Sequence, residues 1–178
     1  MKHEQRPPRR SAAGFTATEC LILLAIVGIV AAIAVPWLMR ARIARNEASA
    51  TASLRRILTA EIAYASVCGR DGYTTDLAAL AAPPPGSTHA FLGSDLAASE
   101  PTIDGYAFAL RPGAYATRGP DDCHARPTQT AFYVSATPVS PGRTGTLAFA
   151  ANTAGTIWQL DGAVPPAEPF LPPAVPVR

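Results

Sequence analysis

The fold of this chain is decided by residues 14–39, which read GFTATECLILLAIVGIVAAIAVPWLM. Between Glu19 and Arg40 lie 20 residues without a formal charge. That is about the length that one helix needs to cross a ~30 Å hydrocarbon layer. A carboxylate at the start of such an apolar segment is costly to place in lipid, so we expect Glu19 to have an interaction partner or a function. The stretch predicts a membrane-spanning helix.

The 178 residues divide into a basic start, an apolar segment and a remainder rich in Pro, Gly and Ala. The formal net charge is +2, and four of the 15 basic residues precede residue 15. Outside that start and the flank of the apolar segment there is no basic stripe, which argues against a nucleic-acid partner. The sequence has no metal-ligand spacing, phosphate-binding loop or nucleophile motif. We therefore expect neither an enzyme nor a cofactor.

Residues 1–14 are basic and show no helical period, which is typical of a targeting segment rather than of a folded element. An ordinary secretory signal is the alternative, with Ala32-Ile33-Ala34 as its cleavage site. Against that alternative, the apolar run continues past this site to Met39 and has Glu19 at its start.

Residues 40–66 predict an amphipathic continuation of the same helix, ended by Cys68-Gly69. Gly28 and Pro36 are expected to bend or locally loosen the span, and they flank the part where we expect helix continuity to be lost during assembly. The apolar face is predicted from a near three-and-four spacing of Ile43, Ala50, Leu54, Ile57, Leu58, Ile62 and Ala65.

Residues 67–162 are expected to form the globular part. Its first portion, Gly69 to Pro101, is predicted to be a long connecting loop with a short helix at Asp76 to Leu80. The tail, residues 163–178, contains six prolines and is expected to be extended and poorly ordered.

Alternating side chains predict strands around Tyr106 to Leu110 and Phe132 to Ala136. Thr146 to Ala150 and Thr156 to Leu160 predict a hairpin, whose turn places Gly155 where a positive φ is needed. We expect an antiparallel sheet of three or four strands, with the apolar half of the helix covering its inner face.

Two of the three cysteines, Cys68 and Cys123, lie in the part expected to be soluble, whereas Cys20 lies in the apolar run. If the soluble part is exported to an oxidising space, a disulfide between Cys68 and Cys123 is expected. The alternative is two unrelated thiols.

The N-terminal stretch resembles the prepilin signature of type IV pilins and of type II secretion pseudopilins. The strong similarity runs from Gly14 to about Ala65, and the order of the later elements fits the same family. It implies an α+β fold in which a long N-terminal helix packs on a small antiparallel sheet. The similar motifs are Gly14-Phe15-Thr16-Ala17-Thr18-Glu19, Pro36, Arg40-Ala41-Arg42, Asn46-Glu47-Ala48, Gly105-Tyr106-Ala107-Phe108 and Phe132-Tyr133-Val134-Ser135-Ala136-Thr137-Pro138.

This resemblance implies that a prepilin peptidase removes residues 1–14 by cutting between Gly14 and Phe15, and methylates the new amine of Phe15. The protein would then be held in a bacterial inner membrane by residues 15–39, with its globular part in the periplasm. An inner-membrane assembly platform would polymerise it with other pilin subunits into a periplasmic or surface filament. Glu19, desolvated in the filament core, would pair with the Phe15 amine of a neighbouring subunit.

The resemblance therefore implies a non-enzymatic structural subunit of a type IV pilus-like filament. A type II secretion pseudopilin, and a minor or tip subunit acting as a binding module, are the alternatives. Thr18 and Cys20 depart from the aliphatic residues of many members, and Cys20 is expected to act as a small apolar residue. Asp121 and Asp122 with Asp95 or Asp104 lack a calcium-binding loop, so no metal site is expected.

Overall fold

The computed structural model describes residues 16–177. The chain divides into two compact units at the boundary between Leu38 and Met39. One helix, α1, runs through that boundary from Ala17–Val67 and contains Pro36. The predicted long apolar N-terminal helix is therefore present, and it ends within one residue of the expected position.

The second unit contains eight described strands, and an antiparallel sheet is present, as predicted. The strands are β1 Thr102–Ile103, β2 Tyr106–Pro112, β3 Arg118–Asp121, β4 Pro127–Gln129, β5 Phe132–Pro138, β6 Leu147–Asn152, β7 Ile157–Asp161 and β8 Val175–Pro176. Six of them form one antiparallel sheet in the order β1-β2-β5-β6-β7-β8, and β3 pairs with β4 separately. The sheet is larger than expected.

The core lies between the second half of α1 and the inner face of the six-stranded sheet. Because side chains alternate along a strand, one face of β2 and one face of β5 supply the apolar side chains. The helix faces them with residues three and four positions apart. The buried side chains of this cluster include Ala50, Leu54, Ile57, Leu58, Tyr64, Tyr106, Phe108, Leu110, Phe132, Val134, Ala136 and Phe149.

The hairpin between β6 and β7 turns at residues 152–155, as predicted. Gly155 has a φ of 78°, and its N–H donates to the Asn152 carbonyl oxygen at 2.9 Å. The Asn152 side chain closes the turn by accepting from the Ala154 N–H. Gly155 thus occupies the one position of this turn that requires a left-handed backbone conformation, which glycine adopts without strain.

The segment between α1 and the sheet is packed rather than loose. It contains α2, Leu77–Leu80, capped by Asp76, whose Oδ1 accepts from the Ala78 N–H at 3.0 Å. A 3-10 helix follows at Ser94–Leu96. The segment adds four leucines to the buried core, at positions 77, 80, 92 and 96.

The proline-rich tail differs from its prediction. It is extended, but β8 pairs with β7 and makes the tail part of the sheet. Phe170 stacks on Trp158 with ring centroids 5.4 Å apart, and the Tyr133 hydroxyl donates to the Pro166 carbonyl oxygen at 2.6 Å. Prolines lack an N–H, so a proline-rich segment can form few of the backbone hydrogen bonds of a sheet. Its carbonyl groups still accept hydrogen bonds, and side chains of the sheet therefore hold the tail in place.

Candidate functional site

The described part of the N-terminal motif is a helix cap. The Thr16 N–H and the Thr16 hydroxyl both donate to Glu19 Oε2 at 2.8 Å, and the Glu19 N–H donates back to Thr16 Oγ1 at 3.3 Å. This reciprocal arrangement of a threonine and a glutamate three residues later is a capping box, which satisfies helix N–H groups that have no partner within the helix. Gly14 and Phe15, the predicted processing residues, lie outside the described residues.

The apolar segment that follows has no protein around it in the described chain. Every side chain from Thr16 to Arg42 is exposed, including Trp37 and the free cysteine Cys20. Burying large apolar side chains is worth about 1.5 to 3 kcal/mol each, so a run of them left uncovered indicates a surface that functions outside water. Pro36 lies inside the helix, where it supplies no N–H for an intrahelical bond.

One helix of the described chain, α1, is long and apolar enough near its start to cross a membrane. Length and composition are the only criteria it meets, and signal sequences near an N-terminus meet them as well. The first part of α1 is therefore a candidate membrane span.

Two polar side chains of α1 attach it to the loop before β6. Glu47 Oε1 accepts hydrogen bonds from the Thr146 N–H at 2.8 Å, the Thr146 hydroxyl at 2.9 Å and the Leu147 N–H at 3.3 Å. Beside it, Asn46 Nδ2 donates to the Thr144 carbonyl oxygen at 2.9 Å. These bonds set the register between the helix and the sheet, because three of the four satisfy a backbone group of the loop.

The predicted disulfide between Cys68 and Cys123 is present, with Cα atoms 4.8 Å apart. The Cys123 N–H also donates to the Cys68 carbonyl oxygen at 2.9 Å. His124 lies next to this pair, but the two sulfurs are bonded to each other and cannot act as thiolate ligands. The end of α1 is thus fixed covalently to the segment between β3 and β4.

Asp122 adds a second attachment at the same place. Its Oδ2 accepts from the Tyr64 hydroxyl at 2.7 Å, and its Oδ1 accepts from the N–H groups of His124 and Arg126 at 2.8 Å. Burial acts to raise the pKa of the Asp122 carboxyl, but the donated hydrogen bonds outweigh burial and the pKa is lowered. Burial, together with the bond to Asp122, raises the pKa of the Tyr64 hydroxyl.

The acids considered as calcium ligands are engaged in separate interactions. Asp95 pairs with Arg56, Asp121 pairs with Arg118, and Asp122 is buried beside Tyr64. Between residues 16 and 177, the one group of three potential ligand residues that lie close together is Cys68, Cys123 and His124, and its two sulfurs are joined in the disulfide.

Glu61 differs from the other acidic residues of the second unit in the extent of its burial. Its side chain is fully buried, its Oε2 accepts from the Thr74 N–H at 3.2 Å, and its Oε1 has no hydrogen-bond partner among the described residues. Burial raises the pKa of the Glu61 carboxyl to about 8, against a smaller lowering by the Thr74 bond. The carboxyl is therefore held in its protonated form over most of the physiological range.

Three of these features were not predicted from the sequence: the cap formed by Thr16 and Glu19, the hydrogen bonds of Glu47 and the burial of Glu61. The spacing from Thr16 to Glu19 is a capping-box signature and could have been read as one. Glu47 and Glu61 gave weaker signals. Glu61 falls on the helical period of Leu54 and Ile57, and a charged residue at a core phase is the feature that would have pointed to it.

Comparisons with protein-family models, with curated proteins and with solved structures found no match.

Removing the disulfide is expected to lower the free energy of unfolding of the second unit by about 3 to 4 kcal/mol, since it closes a long loop in the unfolded chain. The two cysteines are 55 positions apart. The measurement is urea unfolding of the fragment Met39–Arg178 with Cys68 and Cys123 both changed to Ala. The exposed Cys20 provides a control in the full chain, because Cys20→Ala should leave the midpoint unchanged. Equal midpoints with and without the bond would contradict the prediction.

Proposed function

We propose that this chain is a structural subunit of a type IV pilus-like filament, stored in a membrane and polymerised through its N-terminal helix. The observation that carries the proposal is the division of α1. Its apolar first part is exposed throughout, while its second part is packed on the sheet of a folded domain. A helix of this kind suits two environments in turn, first lipid and then a core of neighbouring helices.

The resemblance around Gly14 adds the processing step and the partners. Prepilin peptidase would cut before Phe15 and methylate its amine, and an inner-membrane platform would move the subunit into the filament. The chain would lie in a bacterial inner membrane before assembly, with the globular domain on the periplasmic side. None of these steps requires a cofactor or a catalytic group in this chain.

Glu19 is proposed to set the axial register between subunits. In the single chain, both hydrogen bonds from Thr16 go to Oε2, and within residues 16–177 nothing donates to Oε1. That oxygen remains available for the Phe15 amine of a neighbour. A carboxylate moved from water into a dry helix bundle needs such a cation, because an unpaired buried charge costs several kcal/mol.

The attachments at the two ends of the packed half of α1 support this function. The bonds of Asn46 and Glu47 lie at one end, and the bond of Tyr64 and the disulfide of Cys68 lie at the other. A filament under load transmits force between its helical core and the attached domains. Attachment of the helix to the sheet at both ends keeps the domain from separating from the helix under that force.

The processing step is tested by the mass of the mature protein in a host that has a prepilin peptidase. We expect a chain that begins at Phe15 with one added methyl group on its amine. A mature chain beginning at Val35, after Ala32-Ile33-Ala34, would identify an ordinary signal peptide and would refute the filament proposal.

A further inference from the structure

Three exposed arginines follow the uncharged run of α1 directly. Arg40 ends the run, and Arg42 and Arg45 come within the next turn and a half. The stretch 20–46 contains no acidic residue, and the first acid after it is Glu47. This part of the helix therefore carries positive charge only.

The fold holds a loop that carries a fourth arginine against the same part of α1. The loop of residues 140–145 is held against α1 by the bond from Asn46 to the Thr144 carbonyl oxygen, and the exposed Arg143 is the residue before Thr144. Arg42 lies four positions before Asn46 and so shares its face of the helix. We call Arg40, Arg42, Arg45 and Arg143 the arginine patch.

The nearby acids are occupied elsewhere. Glu47 accepts from the loop before β6, and Asp104 accepts from the hydroxyl of Ser49, one turn after Arg45. The ion pairs in the described part of the chain join Arg56 to Asp95 and Arg118 to Asp121. No arginine of the patch belongs to either pair, so its guanidinium groups are free to bind an external anion.

We propose that the arginine patch binds the phosphate groups of anionic lipid headgroups where α1 leaves the bilayer. A guanidinium group donates two parallel hydrogen bonds to a phosphate group, and it remains charged at any physiological pH. A lipid is favoured as the occupant because the patch begins at the residue that ends the apolar run, which is the depth of the headgroups for a helix of this length. The inference rests on the proposed function only in requiring that residues 20–39 span a membrane.

Trp37 lies three residues before Arg40 and reports the lipids around the patch. The full chain carrying Trp158→Phe, so that Trp37 is its one tryptophan, is reconstituted into phosphatidylcholine vesicles with a minority of phosphatidylglycerol. Bromine is placed on the acyl chains of one lipid or of the other, and quenching of Trp37 is compared at equal bromine content. We expect phosphatidylglycerol to be enriched around Trp37 at least about fivefold at low salt, the factor that one arginine contributes at a membrane surface, and to lose enrichment as salt is raised.

The patch variant changes all four arginines to Gln and is expected to remove the enrichment. The control variant has the same change in charge at four exposed arginines outside the patch, and it should keep the enrichment. Its substitutions are Arg55→Gln, Arg70→Gln, Arg111→Gln and Arg118→Gln. Equal quenching by the two brominated lipids in the wild type, or equal loss in both variants, would overturn the inference while leaving the filament proposal intact.

Two further outcomes are also decisive. If inorganic phosphate abolishes the enrichment while a chloride salt of the same ionic strength does not, the patch binds free phosphate and the lipid assignment is wrong. If neither brominated lipid quenches Trp37, the segment does not insert, and both this inference and membrane storage of the subunit fail.

Discussion

Replacing Glu19 with Gln is expected to abolish filaments while the processed protein still accumulates in the membrane. Glutamine keeps the size of the side chain and serves equally well at the third position of a capping box, so the start of α1 is preserved. A neutral side chain also costs less in hydrocarbon, so insertion should be as good or better. In the filament the neighbouring Phe15 amine would lose its partner, at a cost of roughly 3 to 5 kcal/mol per contact.

The matched control is Thr16→Val, which removes the cap hydroxyl but keeps the charge of Glu19. Loss of an N-terminal cap costs about 1 kcal/mol of helix stability, so Thr16→Val should still assemble. Filament yield after shearing and processed protein in the membrane fraction are measured for both variants. Normal filaments with Glu19→Gln would show that Glu19 does not register subunits. Equal loss in both variants would place its role in capping.

The second large effect concerns Glu61 and pH. Its pKa in the folded protein is about 8, above the ordinary value of 4.5, so between these values the unfolded chain ionises while the folded one does not. Stability conferred by the protonated group is full below pH 4.5, falls as pH rises to about 8, and is constant above that. The total loss is on the order of 5 kcal/mol.

The measurement is the free energy of unfolding of Met39–Arg178 in urea from pH 4.5 to pH 9. Glu61→Gln should flatten the decline, because its amide does not titrate, whereas the exposed Glu100 changed to Gln should leave it unchanged. Asp122 acts with the opposite sign at lower pH, since its lowered pKa contributes stability above its ordinary 3.8 that is lost as pH falls further. A decline that persists in Glu61→Gln would show that another group causes it.

The long helix and the main strands were predictable because their patterns follow from simple periods. The alternation at Tyr106, Phe108 and Leu110 places these side chains in the core, and Phe132 and Val134 behave in the same way. The two-stranded sheet of β3 and β4 was not predicted, since its sequence lacks an alternating apolar pattern. It is held by the disulfide of Cys123 and by the buried Thr128 hydroxyl, which donates to the Pro120 carbonyl oxygen.

Two of the seven positions predicted for the buried face of the helix are not buried, since Ile43 is half-buried and Ile62 is exposed. Ile62 was placed in the core because it is apolar, but it is exposed, and Glu61 is buried in its place. Buried residues of α1 recur at spacings of three and four positions, as Leu54, Ile57, Glu61 and Tyr64 do. The position of a residue around the helix therefore determined its burial, and the polarity of its side chain did not. The tail was likewise misjudged from its prolines alone, because its anchors come from distant strands.

The assembly residues depended on resemblance more than on geometry. Glu19 was singled out as a charge beside an apolar run, whereas its hydrogen bonds with Thr16 were not predicted, although the spacing of the two residues is that of a capping box. Pro36 lies within α1, as the sequence requires, and its part in assembly stays a prediction. The pairing of Glu19 with the Phe15 amine of a neighbouring subunit likewise stays a prediction.

The most direct test of the central claim is the composition of material sheared from the surface of cells that make this protein. If the chain is a filament subunit, electron microscopy should show filaments, and peptide mapping should find this chain in them in the amount expected of a repeating unit, beginning at methylated Phe15. Filaments that lack the chain, or a chain recovered only as soluble protein beginning at Val35, would contradict the account.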